Sequence, residues 1–217
     1  MSQELPILYS FRRCPYAMRA RMALHYSKIN CELREVSLKN KPDSLINISP
    51  KATVPVMHLP DGTIIDESLD IIHYAISQND PEGIADVSDD LQEQIDELIT
   101  INDSEFAPLL RKYKYFEKYP EESQESYRKQ IEANFLAKYE KMLDGNKFLF
   151  GKKSIADIAI LPFIRQFAFV DEEWFFNSPY KNLINWLNMA IESDVFENII
   201  LAKHNPWKEG DEPVYFI

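Results

Sequence analysis

The 217 residues carry a net charge of −11, with 45% hydrophobic and 27% charged residues, fractions that are ordinary for a globular protein. No apolar run approaches the roughly 20 residues that a membrane-spanning helix needs, and the N-terminus lacks the basic segment that begins a secretory signal peptide. The chain is therefore expected in the cytoplasm, with its two cysteines reduced rather than joined in a disulfide scaffold.

The charge is distributed unevenly along the chain. Residues 1–80 contain nine basic and nine acidic side chains, so the whole net charge of −11 falls after residue 80. This change predicts a domain boundary there, and the acidic second part disfavours binding to nucleic acid or to an anionic membrane. The balanced first part keeps five basic residues that could serve an anionic small ligand, namely Arg12, Arg13, Lys39, Lys41 and Lys51.

The first recognisable unit is a strand followed by a helix. Residues 5–10 are apolar and predict a buried strand, and the strong helix formers of residues 17–24 predict the helix. Pro15 suits the first helical position, so Cys14 is predicted at the N-cap. The helix start and the two preceding arginines favour an anion, so we expect a lowered Cys14 pKa and a reactive thiolate. The alternative is a buried, unreactive cysteine packed as a small hydrophobic residue.

Two further strands are predicted in the first half. Residues 30–38 alternate imperfectly between apolar and polar, which predicts a half-buried strand containing Cys31. A polar connection follows, and residues 53–57 predict a strand that is entered through a proline. A proline in that position favours a turn before the strand, so we expect a cis Val54–Pro55 bond facing Cys14.

A hairpin and a helix complete this half. The Asp61-Gly62 pair is a strong hairpin signal and leads into residues 63–65. A helix is then predicted from Asp66 onward, ending before the polar linker at residues 79–83. The resulting order, β-α-β, connection, β-β-α, is close to a thioredoxin-like module.

The second half is predicted to be helical throughout, because its apolar residues recur at helical spacing. Predicted helices cover residues 89–118, with a kink at Pro108, then 121–143, 155–170, 179–192 and 195–201. Ser154 to Asp157 has the pattern of an N-capping box. The helix after it is apolar nearly all round and is therefore predicted to be the buried centre of this domain.

Four segments occur in a specific order: FRRCPYAMRARMAL, LKNKP, TVPVMHLPDGTIIDES and SIADIAILPF. Together they resemble the cytosolic glutathione S-transferases, in particular their cysteine-type, omega-like branch. The resemblance implies the glutathione transferase fold, in which an α/β thioredoxin-like domain that binds glutathione precedes an all-α domain. The expected bounds are 1–78 for the first domain, 79–86 for the linker and 87–217 for the helical domain, which shapes the second-substrate pocket.

The resemblance also implies the roles of particular residues. Cys14 would be the catalytic thiol that forms a mixed disulfide with glutathione. The implied glutathione-binding residues are Tyr16 at the sulfur end, Lys41 at the glycyl carboxylate, Val54 and Pro55 at the cysteinyl backbone, Glu67 and Ser68 at the γ-glutamyl end, and Leu38 nearby. Each has a simpler alternative, since Leu38 could be core, Lys41 a solvated side chain, and the Glu-Ser pair only a helix cap.

A second-substrate pocket is the least specific of these expectations. Its candidate walls are Phe106, Leu110, Tyr113 and Phe167. Side chains at this helical spacing pack in a core at least as often as they line a pocket. No metal site is expected, because the four histidines are scattered without the spacing of metal ligands.

Position 17 separates two kinds of thiol chemistry. A dithiol oxidoreductase would carry a second cysteine three residues after Cys14, where this chain has Ala17. The chain is therefore expected to act as a monothiol transferase or reductase, in which a second glutathione releases the mixed disulfide. Expected substrates are small electrophilic or disulfide compounds: glutathionylated thiols, dehydroascorbate and quinone adducts.

Conjugation of halides should be poor, because position 14 lacks a serine or tyrosine that would leave glutathione's own thiolate free. The resemblance further implies a homodimer with glutathione as co-substrate. Two alternatives remain open: a non-enzymatic, transferase-like binding or regulatory protein, and a glutaredoxin-like oxidoreductase of the two-domain type.

Overall fold

The computed structural model describes residues 4–216, and the chain forms two compact units. The first unit comprises residues 1–85 and 193–217, and the second comprises residues 86–192. The sequence predicted a helical domain that continues to residue 217, whereas the segment 193–217 groups with the first unit instead. Within residues 4–216, no helix has the length and apolar character to cross a bilayer.

The first unit is built on a five-stranded sheet in the order β4-β3-β1-β2-β5. Its elements are β1 (Ile7–Ser10), α1 (Pro15–Tyr26), β2 (Cys31–Glu35), α2 (Asp43–Ile48), β3 (Val56–His58), β4 (Ile64–Ile65), α3 (Ser68–Gln78), a π-helical turn (Phe196–Ile200) and β5 (Tyr215–Phe216). Strands β1 and β2 are parallel, as the α1 crossover requires. The other three pairings are antiparallel. The predicted thioredoxin-like arrangement is confirmed.

Strand β5 is the part of this sheet that the sequence did not predict. It pairs antiparallel with β2, with Phe216 opposite Cys31, and the Leu33 N–H donates to the Val214 carbonyl at 2.7 Å. A two-residue strand is too short to show an alternating pattern. Its position is set by the otherwise open edge of β2, which it covers.

The regular elements of the second unit are helices, apart from one isolated β-bridge between Phe150 and Lys152. Its elements are α4 (Asp89–Ile101), a π-helical turn (Asn102–Phe106), α5 (Ala107–Lys114), a 3₁₀ turn (Phe116–Lys118), α6 (Gln124–Ile131), a second π-helical turn (Glu132–Leu136), α7 (Ala137–Met142), α8 (Ile155–Ala168), α9 (Glu172–Asn177) and α10 (Lys181–Ile191). A kink was predicted at Pro108, and the first π-helical turn ends just before it, with the Ala107 N–H bonded to the Asn102 carbonyl. Pro108 has no N–H to donate to the carbonyl four residues before it, so one helical hydrogen bond is missing at this place.

Helix α8 is the buried centre of this unit, as predicted, and its start is capped from within. The Ser154 N–H and hydroxyl donate to the Asp157 carboxylate at 3.0 and 3.1 Å. The second carboxylate oxygen accepts from the Leu149 N–H at 3.0 Å and from the Trp186 indole at 3.2 Å. Burial raises the pKa of Asp157, although these four donors oppose the shift. The capping box predicted from Ser154 and Asp157 is confirmed.

Candidate functional site

Cys14 occupies the position that the local sequence predicts. Strand β1 ends at Ser10, a turn closed by a 3.0 Å bond from the Cys14 N–H to the Phe11 carbonyl follows, and α1 begins at Pro15. Cys14 is therefore the N-cap residue of α1. Its thiol is half-buried and donates to the Val54 carbonyl at 3.6 Å. The Val54–Pro55 bond is cis, which confirms both the bond and its place beside Cys14.

The prediction of a lowered Cys14 pKa is wrong. Burial of the thiol raises its pKa and outweighs every opposing influence. The backbone N–H groups of Tyr16 and Ala17 and the charges of Arg21 and Arg19 favour the thiolate, but they do not compensate for the desolvation. Local sequence shows the helix start and the nearby cations, whereas the burial depends on segments that are distant in the chain.

The arginines that act on Cys14 are also different from the predicted pair. Arg19 and Arg21 lie in α1 and are fully buried, whereas the Arg13 guanidinium lies 5.8 Å from the Phe11 ring centre. Arg21 follows Cys14 by seven residues, which is two helical turns. The sequence therefore contained a usable signal, since residues seven apart lie on the same face of a helix.

A cleft of about 290 Å³ lies beside the thiol within the first unit, close to the lower limit for small-molecule sites. It is lined by Tyr16, Lys51, Thr53, Val54, Pro55, Asp66, Glu67 and Ser68. Five of the predicted glutathione-binding residues are therefore brought together at one place. Cys14 borders the cleft through its contact with the Val54 carbonyl.

One end of the cleft is the start of α3. Glu67 is the N-cap residue and Ser68 the first helical residue, and within residues 4–216 no side chain caps this helix. Its first backbone N–H groups are available to an anion. The Lys51 ammonium lies 2.7 Å from the Glu67 carboxylate and 3.4 Å from that of Asp66, and the bond to Glu67 is the main reason that the Lys51 pKa is raised. This end therefore offers both signs of charge to a ligand.

Two predicted residues do not line this cleft. Leu38 is 51% exposed and, like Lys41, is absent from the lining of the cleft. The cation at the cleft is Lys51, which the sequence placed among five candidate basic residues without distinguishing it. Its role depends on the close approach of the connection after α2 to the start of α3, and nothing in the local sequence indicates that approach.

The four candidate walls of a second-substrate pocket lie inside the second unit. Phe106, Leu110, Tyr113 and Phe167 are at most 1% exposed. The Phe167 ring centre lies 5.2 Å from that of Tyr113 and 6.5 Å from that of Phe106, distances typical of packed aromatic pairs. The structure supports the alternative that these side chains form a core, because they offer almost no surface to a ligand.

Two family models match the chain, described as the N-terminal domain of glutathione S-transferase over residues 8–83 and its C-terminal domain over residues 125–188. Glutathione S-transferase L1 of Arabidopsis thaliana is 30% identical over 187 residues, which cover 84% of this chain and 74% of the relative. Glutathione S-transferase omega-1 of Rattus norvegicus is 37% identical over 67 residues, covering 31% of this chain and 28% of the relative.

This chain spans only about a third of the length of the first curated relatives that it matches: 32% of a rice protein and 28% of the rat protein. Among solved structures, a glutathione transferase family member from Pseudomonas fluorescens, crystallised with two glutathione molecules, superposes with a TM-score of 0.74. That match covers 90% of this chain and 92% of the other at 20% identity, so it supports the fold alone.

Proposed function

The chain belongs to the glutathione S-transferase family, and we propose that it is a glutathione-dependent monothiol transferase or reductase of the cysteine-type, omega-like branch. The observation that carries this proposal is the position of the Cys14 thiol, 3.6 Å from the Val54 carbonyl at the edge of a cleft that ends at the start of α3. The other cysteine, Cys31, is fully buried, with its pKa raised to about 12 by burial. It is therefore unsuited to act as a second thiol.

The proposed co-substrate is glutathione, and the cleft has groups suited to each part of it. The backbone beside the cis bond can pair with the extended peptide, as a neighbouring strand would. The α-carboxylate of the γ-glutamyl group is expected at the uncapped start of α3, and its ammonium at Glu67. Tyr16 would lie at the sulfur end. For the glycyl carboxylate we propose Lys41, as the family resemblance implies, with Lys51 as a competing candidate because it lines the cleft.

The raised pKa of Cys14 gives the co-substrate a second role in this proposal. The thiol now donates its proton to the Val54 carbonyl, an interaction that favours the neutral form. A peptide N–H that bonds to the same carbonyl would compete with the thiol for this acceptor. We expect bound glutathione therefore to remove one cause of the neutral thiol and to increase the thiolate fraction.

The chemistry is two successive thiol–disulfide exchanges. The Cys14 thiolate attacks the glutathione sulfur of a glutathionylated substrate, forming a Cys14–glutathione disulfide and releasing the substrate thiolate, which takes up a proton. The thiolate of a second glutathione then attacks the glutathione sulfur of that disulfide. Glutathione disulfide leaves and the Cys14 thiolate is restored. Glutathionylated thiols, the first proposed substrate class, follow these two exchanges. With a glutathionyl hydroquinone adduct, the Cys14 thiolate attacks the glutathione sulfur, the C–S bond breaks with its electron pair going to the ring carbon, and that carbon takes up a proton. With dehydroascorbate, the Cys14 thiol and one glutathione thiol together supply two electrons and two protons, which gives ascorbate and the same Cys14–glutathione disulfide.

The test is reduction of the mixed disulfide of hydroxyethyl disulfide and glutathione, coupled to glutathione reductase. Cys14→Ser should lose activity on the order of a thousandfold or more, because a hydroxyl cannot form the disulfide. Cys31→Ala is the matched control and should retain most activity. Mass spectrometry should detect one glutathionyl group on Cys14 in the wild type. Equal activity of Cys14→Ser and the wild type would overturn the proposal.

A non-enzymatic binding or regulatory protein is the second candidate, and the raised Cys14 pKa favours it. This candidate predicts that glutathione binds but that the wild type turns over no glutathione disulfide, dehydroascorbate or quinone adduct. The glutaredoxin-like alternative is disfavoured by Ala17, since it needs a second thiol there. A cytoplasmic homodimer is also part of the proposal, and sedimentation of the purified protein tests the oligomeric state.

A further inference from the structure

Glu35, at the end of β2, connects the segments around the reactive thiol. One carboxylate oxygen accepts from the Arg12 backbone N–H at 2.7 Å, in the turn that leads to Cys14. The other accepts from the Arg21 guanidinium at 2.7 Å, with 0% and 8% of the two side chains exposed. Neither Arg12 nor Arg21 is close to Glu35 in sequence, so this carboxylate ties the turn and α1 to the sheet.

The C-terminal segment of the first unit completes the same network. The Trp207 backbone N–H donates to the Glu35 carbonyl at 2.8 Å, and Arg21 donates to the Ile200 carbonyl at 2.8 Å. The Trp207 ring lies 4.1 Å from the Arg34 guanidinium, which also holds this segment against β2. The segment therefore shields the Arg21–Glu35 pair from water, which strengthens its electrostatic effect on neighbouring groups.

We infer that Glu35 is a positioning residue for the thiol: it fixes the turn that carries Cys14 and limits how much of the positive charge of Arg21 reaches the sulfur. The inference rests on the proposed function, because Cys14 must be the reacting group for this setting to matter. The inference assigns a role in that function to Glu35, which lies at the end of β2 and does not line the cleft.

Charged or titratable groups from three segments act on Cys14 or on its neighbour Arg21, and Cys31 of β2 is one of those that act on Arg21. Arg19 and Arg21 approach from α1 and both favour the Cys14 thiolate. Glu35 approaches from β2, and His204 from the C-terminal segment. Burial lowers the pKa of His204, so its neutral form dominates at pH 7 and it adds little charge. The stability of the Cys14 thiolate therefore depends mainly on the two arginines, which favour it, and on Glu35, whose negative charge disfavours it.

The test compares charge removal with loss of the hydrogen bond. In Glu35→Gln the amide oxygen can still accept from the Arg12 N–H, but the negative charge is gone. The rate of Cys14 alkylation by iodoacetamide at pH 7, followed by mass spectrometry, should then rise about threefold to tenfold, because removal of the anion that pairs with Arg21 favours the Cys14 thiolate. Glu32→Gln is the matched control, since Glu32 lies in the same strand and pairs with Arg34 at 2.6 Å. It should leave the rate unchanged.

The effect of Glu35 on the turn that carries Cys14 is measured separately, by hydrogen exchange. In Glu35→Ala the Arg12 N–H loses its acceptor, so hydrogen exchange at residues 11–14 should become faster than in Glu35→Gln. Because an uncompensated Arg21 could prevent folding, the double variant Arg21→Gln/Glu35→Gln supplies a neutral pair. Its alkylation rate should fall below that of the wild type, because the cation that favours the thiolate is gone.

An unchanged rate in Glu35→Gln would overturn the inference. If that variant does not fold, equal rates in Arg21→Gln and in the double variant would overturn it instead, because these two proteins differ only in the charge of Glu35. Alkylation requires neither glutathione nor turnover, so this result is separable from a failure of the proposed function. If the wild type showed no turnover but the variants showed the expected alkylation rates, the proposed function would be overturned and the electrostatic role of Glu35 would stand.

Discussion

The helix starts of the two units differ in how their first N–H groups are satisfied. In the second unit, Ser88, Ser123 and Asp171 cap α4, α6 and α9 with their own side chains, and α8 carries the box of Ser154 and Asp157. In the first unit, the N-cap side chain does not cap α3, and the N-cap side chain of α1 is the reactive thiol of Cys14 itself, on which the Tyr16 and Ala17 N–H groups act. These are the two starts that border the cleft.

The difference indicates that the helix starts of the second unit mainly stabilise the fold, whereas the two starts beside the cleft can bind a ligand. A capped start has already used its donors, so a change there alters folding. An uncapped start leaves donors and a positive helix end for a ligand, at a modest cost to stability. Substitutions in the second unit should therefore alter mainly stability, and substitutions beside the cleft mainly binding. The following four predictions test this comparison.

The largest expected effect is in the interior of the second unit. Phe106→Ala should lower the free energy of unfolding by about 3–5 kcal/mol, because a fully buried ring that packs 5.1 Å from Phe135 would be replaced by a cavity. Chemical denaturation measures the change. A near-normal stability combined with an altered KM for the second substrate would instead restore Phe106 as a pocket wall.

The next largest effect is at the capped start of α8. Asp157→Ala should cost about 2–4 kcal/mol of stability, since Ser154, Leu149 and Trp186 would lose the carboxylate to which they donate. Glutathione affinity of the folded fraction, measured by calorimetry, should stay the same. A loss of affinity at unchanged stability would contradict the contrast between the two units.

A smaller effect is expected at the uncapped start of α3. Ser68→Ala and Glu67→Gln should each weaken glutathione binding by about 1.5–3 kcal/mol, or about tenfold to over a hundredfold, through loss of one hydrogen bond to a charged group. Melting temperature should change little. Ser88→Ala, at the capped start of α4, is the matched control and should show the opposite pattern: lower stability and unchanged affinity.

The smallest effect concerns the pH dependence at the start of α1. Because burial raises the pKa of Cys14, its thiolate fraction at neutral pH is below that of an ordinary thiol and increases as pH rises through and beyond the ordinary thiol range. The rate of alkylation by iodoacetamide should therefore reach its midpoint above about 8.5. A midpoint below that value would restore the original expectation that the helix start dominates.

The sequence alone predicted those parts of the site that depend on neighbouring residues. Pro15 fixed Cys14 at the N-cap, the proline before β3 indicated the cis bond, and Ser154 with Asp157 indicated the cap of α8. Each feature involves residues within about one helical turn of each other, so a local pattern contains the information. The order of strands and helices in the first unit was predictable for the same reason.

The tertiary structure decided the features that depend on residues far apart in the chain. Burial reversed the expected direction of the Cys14 pKa, and Lys51 rather than Lys41 lines the cleft. Arg21 reaches the Ile200 carbonyl, 179 residues away, and β5 joins the sheet from the end of the chain. Desolvation and charge at a site are sums over all segments that pack around it. No local pattern in the sequence contains that sum.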